Sequence, residues 1–225
     1  MIFTVKVTAD KLHMRQGAGS TFDSISILNK GDLLEVISID NSGTWLEVKQ
    51  TAKGGKLGWC SAKYLQPQTE NPSVWLAVAV KEIGTKEFPG NDLNHPRIQA
   101  YLSTVNGLSK VDKSQDETPW CSCFMNWCVE QVSLNGTDSA WAKSWGNWRN
   151  VVKLAQADIG DIAVFDRSTA TVNAGHVAIF ITKDDAASKV LVLGGNQSNS
   201  VRYSWYPLDE IKNGTHYKLL SCRRI

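Results

Sequence analysis

The chain has 225 residues, of which 42% are hydrophobic and 20% charged, and its formal net charge at pH 7 is +2. This composition is typical of a globular protein whose length allows one large domain or two unequal ones. Lysine and arginine form no run, and no apolar stretch approaches the ~18 residues of a membrane-spanning helix. We therefore expect neither a nucleic acid nor a membrane as a partner.

Residues 1–68 read as short strands separated by turns, at 11–15, 25–28, 33–39, 44–48 and 57–60. Closely spaced short strands with glycine turns predict a small all-β barrel. Residues 66–72 are polar and contain two prolines, which is typical of a linker. Because this linker is short, we expect the barrel to touch the domain that follows, over residues 71–225.

The second region begins with helices, predicted at 73–83, 96–105, 119–134 and 139–144. Strands follow, predicted at 161–165, 176–182, 189–193, 200–205 and 217–223. Helices first and strands afterwards predict an α+β fold with an antiparallel sheet. In the third helix, Thr118 is the expected N-cap and Pro119 the expected first residue.

The five cysteines are Cys60, Cys121, Cys123, Cys128 and Cys222, an odd number without regular spacing. One residue separates Cys121 from Cys123, where zinc sites usually have about two to four, and no histidine pair lies nearby. We therefore expect no metal and no cofactor, and mostly reduced thiols that fill the core.

Cys121 lies in the first turn of the third helix, where free N–H groups and the helix dipole favour a thiolate and can bind an oxyanion. His176 begins an apolar strand after a glycine, and Asn196 follows a strand and two glycines. Cysteine, histidine and a polar orienting group occur in this order in papain-like cysteine hydrolases. The sequence thus predicts Cys121 as nucleophile, His176 as base and Asn196 as orienting group. Gln197 is the alternative third member, and for each of these residues a purely structural role is the alternative.

The N-terminal segment resembles a bacterial SH3 domain. The resemblance rests on residues 12–17, the Lys30-Gly31 turn, residues 45–48 and residues 58–65. It implies a domain that binds cell-wall peptide or helps to shape a neighbouring active site. A passive tether is the alternative.

Residues 75–225 resemble the papain-like cell-wall amidohydrolases related to NlpC-type peptidases and CHAP amidases. The matching motifs are residues 80–84, 94–98, 116–122, 160–165, 175–177 and 193–197. The resemblance implies the same catalytic set of Cys121, His176 and Asn196. The motif Trp-Cys-Ser-Cys departs from the Asp-Cys-Ser-Gly of NlpC-type enzymes, and the third member is an amide, which favours the CHAP-like branch.

Substrate-binding residues are predicted around the nucleophile. Asp116 and Glu117 precede the helix and can receive a cationic group of a stem peptide, although complementing the helix dipole is the simpler role. Aromatic and polar neighbours are the other candidates: Trp120, Ser122, Trp145, Trp148 and Gln197.

The resemblances imply a peptidoglycan hydrolase that cleaves an amide bond of the stem peptide through an acyl-enzyme, as an endopeptidase or an N-acetylmuramoyl-L-alanine amidase. An inactive binding module and a papain-like acyltransferase are the alternatives. We expect a monomer with peptidoglycan as its partner, and an immunity protein or a secretion partner stays open. The first residues lack the pattern of a signal peptide. We therefore expect synthesis in a bacterial or phage-infected cytoplasm and action on the cell wall or in the periplasm, as an endolysin, a toxin effector or a housekeeping enzyme.

Overall fold

The computed structural model of the chain describes residues 2–51, 54–90 and 93–225. Its N-terminal part is an antiparallel sheet of seven strands: β1 (Phe3–Val7), β2 (Lys11–Arg15), β3 (Ser24–Asn29), β4 (Leu33–Ile39), β5 (Trp45–Gln50), β6 (Leu57–Ser61) and β7 (Leu65–Pro67). The strand order is β3-β2-β6-β5-β4-β1-β7. Alternate residues such as Val5, Val7, Leu12 and Met14 are buried, because a strand sends successive side chains to opposite faces.

Four α-helices follow: α1 (Val74–Lys81), α2 (Pro96–Leu102), α3 (Lys110–Ser114) and α4 (Cys121–Glu130). Helix α4 is the centre of this region, since all its residues from Cys121 to Val129 are buried. On one side it contacts α1 and α2. On the other side it contacts two strands of the second sheet, β10 (Gly175–Asp184) and β11 (Lys189–Gly194). Burial on every side is typical of a helix in such a central position, and the two polar side chains Ser122 and Asn126 are hydrogen-bonded there.

The second sheet has seven antiparallel strands: β8 (Asn150–Val152), β9 (Ile162–Ser168), β10 (Gly175–Asp184), β11 (Lys189–Gly194), β12 (Arg202–Pro207), β13 (Asp209–Lys212) and β14 (Thr215–Arg224). Their order is β12-β11-β10-β9-β14-β13, and β8 pairs with β14. The predicted α+β fold with an antiparallel sheet and an N-terminal all-β SH3-like domain is confirmed.

The two faces of this second sheet have different surroundings. Side chains such as Val164, Val177 and Ile179 pack in the core shared with the helices. Their neighbours along the strands, such as Phe165 and Ala178, point the other way and form a smaller cluster that includes Tyr206. The candidate site lies at the open end of this second face.

Several local predictions differ from the structure. Helix α4 begins at Cys121 with Trp120 as its N-cap, two residues later than predicted. The hydroxyl of Thr118 donates instead to the carbonyl of Asp112, at 2.8 Å, so it is not available as a cap. The segment predicted as a fourth helix is a 3₁₀ turn at Ala142–Asn147, and the sequence did not predict α3, β8 or β13. Strand β7 includes Gln66 and Pro67, which were predicted as the start of the linker.

The two sheets are in direct contact through the turn between β4 and β5. The N–H of Tyr203 donates to the carbonyl of Gly43 at 2.9 Å, and the guanidinium of Arg202 donates to the carbonyl of Asn41 at 2.5 Å. A Cβ on Gly43 would lie 2.1 Å from the carbonyl oxygen of Tyr203, and this residue has a φ of +65°. The predicted contact between the barrel and the second domain is confirmed, and only glycine fits at its centre.

Among the described residues, no helix combines the length and the apolar character needed to cross a membrane.

Candidate active site

A cavity of about 980 Å³ opens at the end of the second sheet, next to the N-terminus of α4. Its walls come from the start of α4, from β9, β10 and β12–β14, and from the loop between β11 and β12. Cys121, His176 and Gln197 all line it, together with Arg167 and Asn196. The fold therefore brings together residues that lie far apart in the sequence.

Cys121 is the first residue of α4, where backbone N–H groups have no partner within the helix. Its exposed fraction is 8%, whereas the other four cysteines are exposed by 1% or less. Burial raises the pKa of the Cys121 thiol, while the backbone N–H of Val177 and the charge of Arg167 act in the opposite direction. The net direction is upward, so the predicted shift toward a thiolate is not met: burial outweighs the favourable contacts.

His176 lies near the start of β10, on the second face of the sheet. Its ring stacks on Tyr206, with centroids 4.9 Å apart and an interplanar angle of 9°. Burial and, to a lesser extent, the charge of Arg167 lower the pKa of His176 from 6.5 to about 3, against the hydrogen bond to Gln197, which raises it. The imidazole is therefore neutral at pH 7 and can accept a proton.

Gln197 orients this imidazole. Its side-chain Nε2 donates to the carbonyls of Gly194, at 3.3 Å, and of Arg202. These two bonds fix the amide so that Oε1 points at His176 Nε2, at 3.1 Å, and Oε1 can only accept. The proton of the neutral ring is thereby assigned to Nε2, and Nδ1 keeps a free lone pair. Nδ1 is buried and has no hydrogen-bond partner among the described residues.

The prediction that Asn196 orients His176 is not met by this geometry, since Gln197 makes the contact. Asn196 is half-buried and has a φ of +55°, the left-handed conformation that asparagine tolerates better than most residues. This turn residue directs the next side chain, Gln197, toward the histidine. The turn lies close against α4, because a Cβ on Gly195 would be 2.4 Å from the Trp120 ring.

Three predicted groove aromatics belong to the core instead. Trp120 and Trp145 are fully buried and Trp148 is 6% exposed, and none of them lines the cavity. Each indole N–H is already bonded: Trp120 donates to Glu87 at 2.7 Å, Trp145 to Ser122 at 2.9 Å and Trp148 to the carbonyl of Asn135 at 3.0 Å. The prediction of a substrate groove made by these tryptophans is therefore wrong.

The three polar candidates before and after Cys121 also lie outside the cavity lining. Ser122 is buried and donates to the carbonyl of Ser139 at 2.6 Å. Asp116 is fully buried and accepts the N–H groups of Phe88 and His95, at 3.1 and 2.8 Å, so it holds a loop rather than a substrate cation. Glu117 is exposed at the surface.

Arg167 and Tyr206 are site residues that sequence reasoning missed. The available signal was the alternation of β9, which places Arg167 on the same face as Phe165, directly across from the strand that carries His176. No comparable signal marks Tyr206, which lies on β12 and is separated from the strand of His176 by β11. Among the described residues, no group of three or more His, Cys, Asp or Glu side chains is placed to hold a metal ion.

Family models match two segments of the chain. Residues 10–66 match the bacterial SH3 domain, and residues 113–196 match the CHAP domain. No curated protein sequence matches the chain.

Solved structures with a similar arrangement include NlpC2 and NlpC1 from Trichomonas vaginalis, 15% and 13% identical, and an NlpC/P60 family protein from Bacillus cereus ATCC 10987, 13% identical. The similarity covers 100%, 100% and 99% of this chain and 72%, 69% and 63% of those chains, with a TM-score of 0.38 in each case. A likeness at this level carries no inference about the site. The two family models show that residues 10–66 are similar to a bacterial SH3 domain and that residues 113–196 are similar to a CHAP domain.

Proposed function

We propose that this protein is a cysteine hydrolase that cleaves an amide bond of the peptidoglycan stem peptide through an acyl-enzyme. Cys121 is the nucleophile, His176 the base and Gln197 the group that orients the imidazole. One observation supports this set above all others: the amide of Gln197 is held so that His176 keeps its proton on Nε2 and a free lone pair on Nδ1.

In the first step, Nδ1 of His176 takes the thiol proton as Sγ of Cys121 attacks the amide carbonyl. The C–S bond forms, the carbonyl oxygen becomes an oxyanion, and the free N–H groups in the first turn of α4 stabilise its charge. The C–N bond then breaks, and the imidazolium gives its proton to the leaving amine.

In the second step, the same imidazole activates water, which attacks the thioester and releases the acid product. The water proton passes through His176 back to the thiolate of Cys121. Burial raises the pKa of Cys121 and lowers that of His176, and both shifts favour the neutral pair, so the ion pair forms as the reaction proceeds. The hydrogen bond that His176 Nε2 donates to Oε1 of Gln197 stabilises the imidazolium as it forms.

The test is digestion of purified peptidoglycan, with the soluble products identified by mass. We expect the wild type to release stem-peptide or muramoyl fragments whose masses identify the cleaved amide. Cys121→Ala should abolish this release while the thermal unfolding transition is kept. Cys123→Ala, two residues away on the same helix and fully buried, is the matched control and should retain much of the activity.

Loss of activity in Cys123→Ala with activity kept in Cys121→Ala would contradict the proposal. Products in which an amine has replaced water at the cleaved carbonyl would identify an acyltransferase.

A further inference from the structure

The cavity contains a cation without a carboxylate partner. The Nε of Arg167 is buried and has no hydrogen-bond acceptor, and no Asp or Glu in residues 2–51, 54–90 and 93–225 forms an ion pair with it. Its guanidinium lies 5.7 Å from the centroid of the Tyr217 ring. By contrast, Arg97 and Arg224 each bind a carboxylate through two nitrogens, at 2.6 to 2.8 Å.

Arg167 lies on the face of the sheet that carries His176. In the register of β9 and β10, Phe165 is opposite His176, and Arg167 follows two residues later on the same face. On the other side of β9, Arg167 is opposite Tyr217 of β14. The guanidinium is therefore held beside the catalytic pair by strand residues and not by a loop.

The charge of Arg167 acts on both proposed catalytic groups. It lowers the pKa of Cys121, which favours the thiolate, and it also lowers the pKa of His176, which disfavours the imidazolium. The two effects on the first proton transfer have opposite signs, so neither assigns Arg167 a role in that step, and its free hydrogen-bond donors point instead to a role in binding.

The rest of the cavity has the same sign of charge. Its lining contains three cationic side chains, Arg167, Lys189 and Lys212, and one carboxylate, Glu210. Lys189 lies over the Trp205 ring, with its Nζ 4.8 Å from the centroid. A cavity lined mainly by one sign of charge attracts ligands of the opposite sign.

We propose that Arg167 binds a carboxylate of the substrate peptide adjacent to the scissile amide. This inference rests on the function proposed above and adds the chemical class that the site selects. A guanidinium presents parallel N–H groups that match a carboxylate in a bidentate pair. Stem peptides offer this group in two places, the α-carboxyl of an isopeptide-linked glutamate and the C-terminal carboxyl.

The experiment uses the full chain with Cys121→Ala, so that peptides bind without turnover. Calorimetry measures the dissociation constants of three synthetic stem peptides: one with both carboxyls free, one with the glutamate α-carboxamide, and one with the C-terminal carboxamide. We expect one amide to weaken binding about 10- to 100-fold, the range of a charged hydrogen-bonded pair, and its position identifies the carboxylate.

Adding Arg167→Gln should remove this preference, so that the acid and amide peptides bind equally well. Arg167→Lys keeps the positive charge and loses the paired N–H donors of the guanidinium, so it should keep part of the preference for the free carboxylate. The matched control is Arg149→Gln, since Arg149 also lies over an aromatic ring, 5.5 Å from that of Trp148, but outside the cavity lining. It should bind all three peptides as the parent chain does, and thermal unfolding checks that each variant is folded.

Equal binding of all three peptides by the Cys121→Ala chain would overturn the proposal without any mutation of Arg167. The proposal would also be overturned if Arg167→Gln weakened the binding of all three peptides by the same factor, or if the Cys121→Ala chain bound none of them. Because binding is measured without catalysis, these outcomes are separate from a failure of the wild type to hydrolyse peptidoglycan, which would overturn the proposed function itself.

Discussion

The two parts of this protein, residues 2–67 and the described residues after them, differ in the polar side chains that they bury. The N-terminal sheet buries apolar residues such as Val5, Leu34, Leu46 and Val48. All eight buried polar or charged side chains of the described residues lie in the second part of the chain: Glu87, Asp116, Ser122, Asn126, Asp161, His176, Gln197 and Ser200. Hydrophobic burial therefore stabilises both parts, and the second part adds buried hydrogen bonds to it.

A buried polar group destabilises the fold unless it has a partner, so such groups persist where they position something. Asn126 is one example, since its Oδ1 accepts the N–H groups of Thr137 and Asp138, at 2.7 and 3.0 Å, and fixes the loop after α4. His176 and Gln197 pair with each other at the cavity. The difference between the two parts places the candidate site in the second part, which the first part contacts at Asn41 and Gly43.

The largest effect is expected from removing the buried amide. Gln197→Ala should lower turnover of peptidoglycan by about 10²-fold or more, because His176 loses the group that fixes its tautomer and stabilises its charged form. Steady-state kinetics on a soluble stem peptide should show the loss in kcat. Asn196→Gly is the matched control, since it keeps the left-handed backbone and should cause a far smaller loss. The reverse order of the two effects would restore Asn196 as the orienting group.

A smaller effect is expected from disturbing the contact between the sheets. Arg202 is bonded to the barrel at Asn41, and its own carbonyl holds the amide of Gln197. Gly43→Ala introduces a Cβ that overlaps Tyr203 in this contact, which should lower the free energy of unfolding by about 1–3 kcal/mol and lower kcat several-fold.

Gly31→Ala serves as the control for this variant. Gly31 also has a positive φ, of +94°, but a Cβ there meets nothing within 4 Å. If the barrel only tethers the enzyme, both variants should cleave a soluble stem peptide equally well, and the coupling between the sheets would be refuted.

The last prediction concerns the dependence of stability on pH. The pKa of His176 is about 3 in the folded protein and 6.5 when unperturbed, so between these values the unfolded chain binds more protons. The stabilisation is complete above pH 6.5 and is lost as the pH falls toward 3, by up to about 1.4 kcal/mol per pH unit. In His176→Phe, urea unfolding curves from pH 7 to 4 should lack this component. Parallel curves for the two proteins would contradict a buried neutral histidine.

The sequence predicted the first sheet better than the site. Alternation and glycine turns are local signals, and they located most strands of both sheets within a few residues. The order of Cys121 and His176 along the chain also identified two residues that the fold places at one cavity. Local sequence patterns are enough to predict a strand, because they show which side chains face the core.

The rest of the site depends on contacts between distant residues. Gln197 and Asn196 are adjacent polar amides, and only the left-handed turn and the carbonyl of Arg202 decide which of them faces His176. The burial of Trp145 depends on Ser122, 23 residues away, which accepts its N–H. Neither contact produces a recognisable pattern in the nearby sequence, so the sequence alone did not predict them.

The central claim, that Cys121 forms an acyl-enzyme, is tested most directly by rapid acid quenching of the enzyme during turnover of a soluble stem peptide, followed by intact-mass spectrometry and peptide mapping. The account predicts a mass increase equal to the acyl part of the substrate, located on Cys121. It also predicts that the adduct decays as product appears. Turnover without any adduct, or an adduct on another residue, would contradict the account.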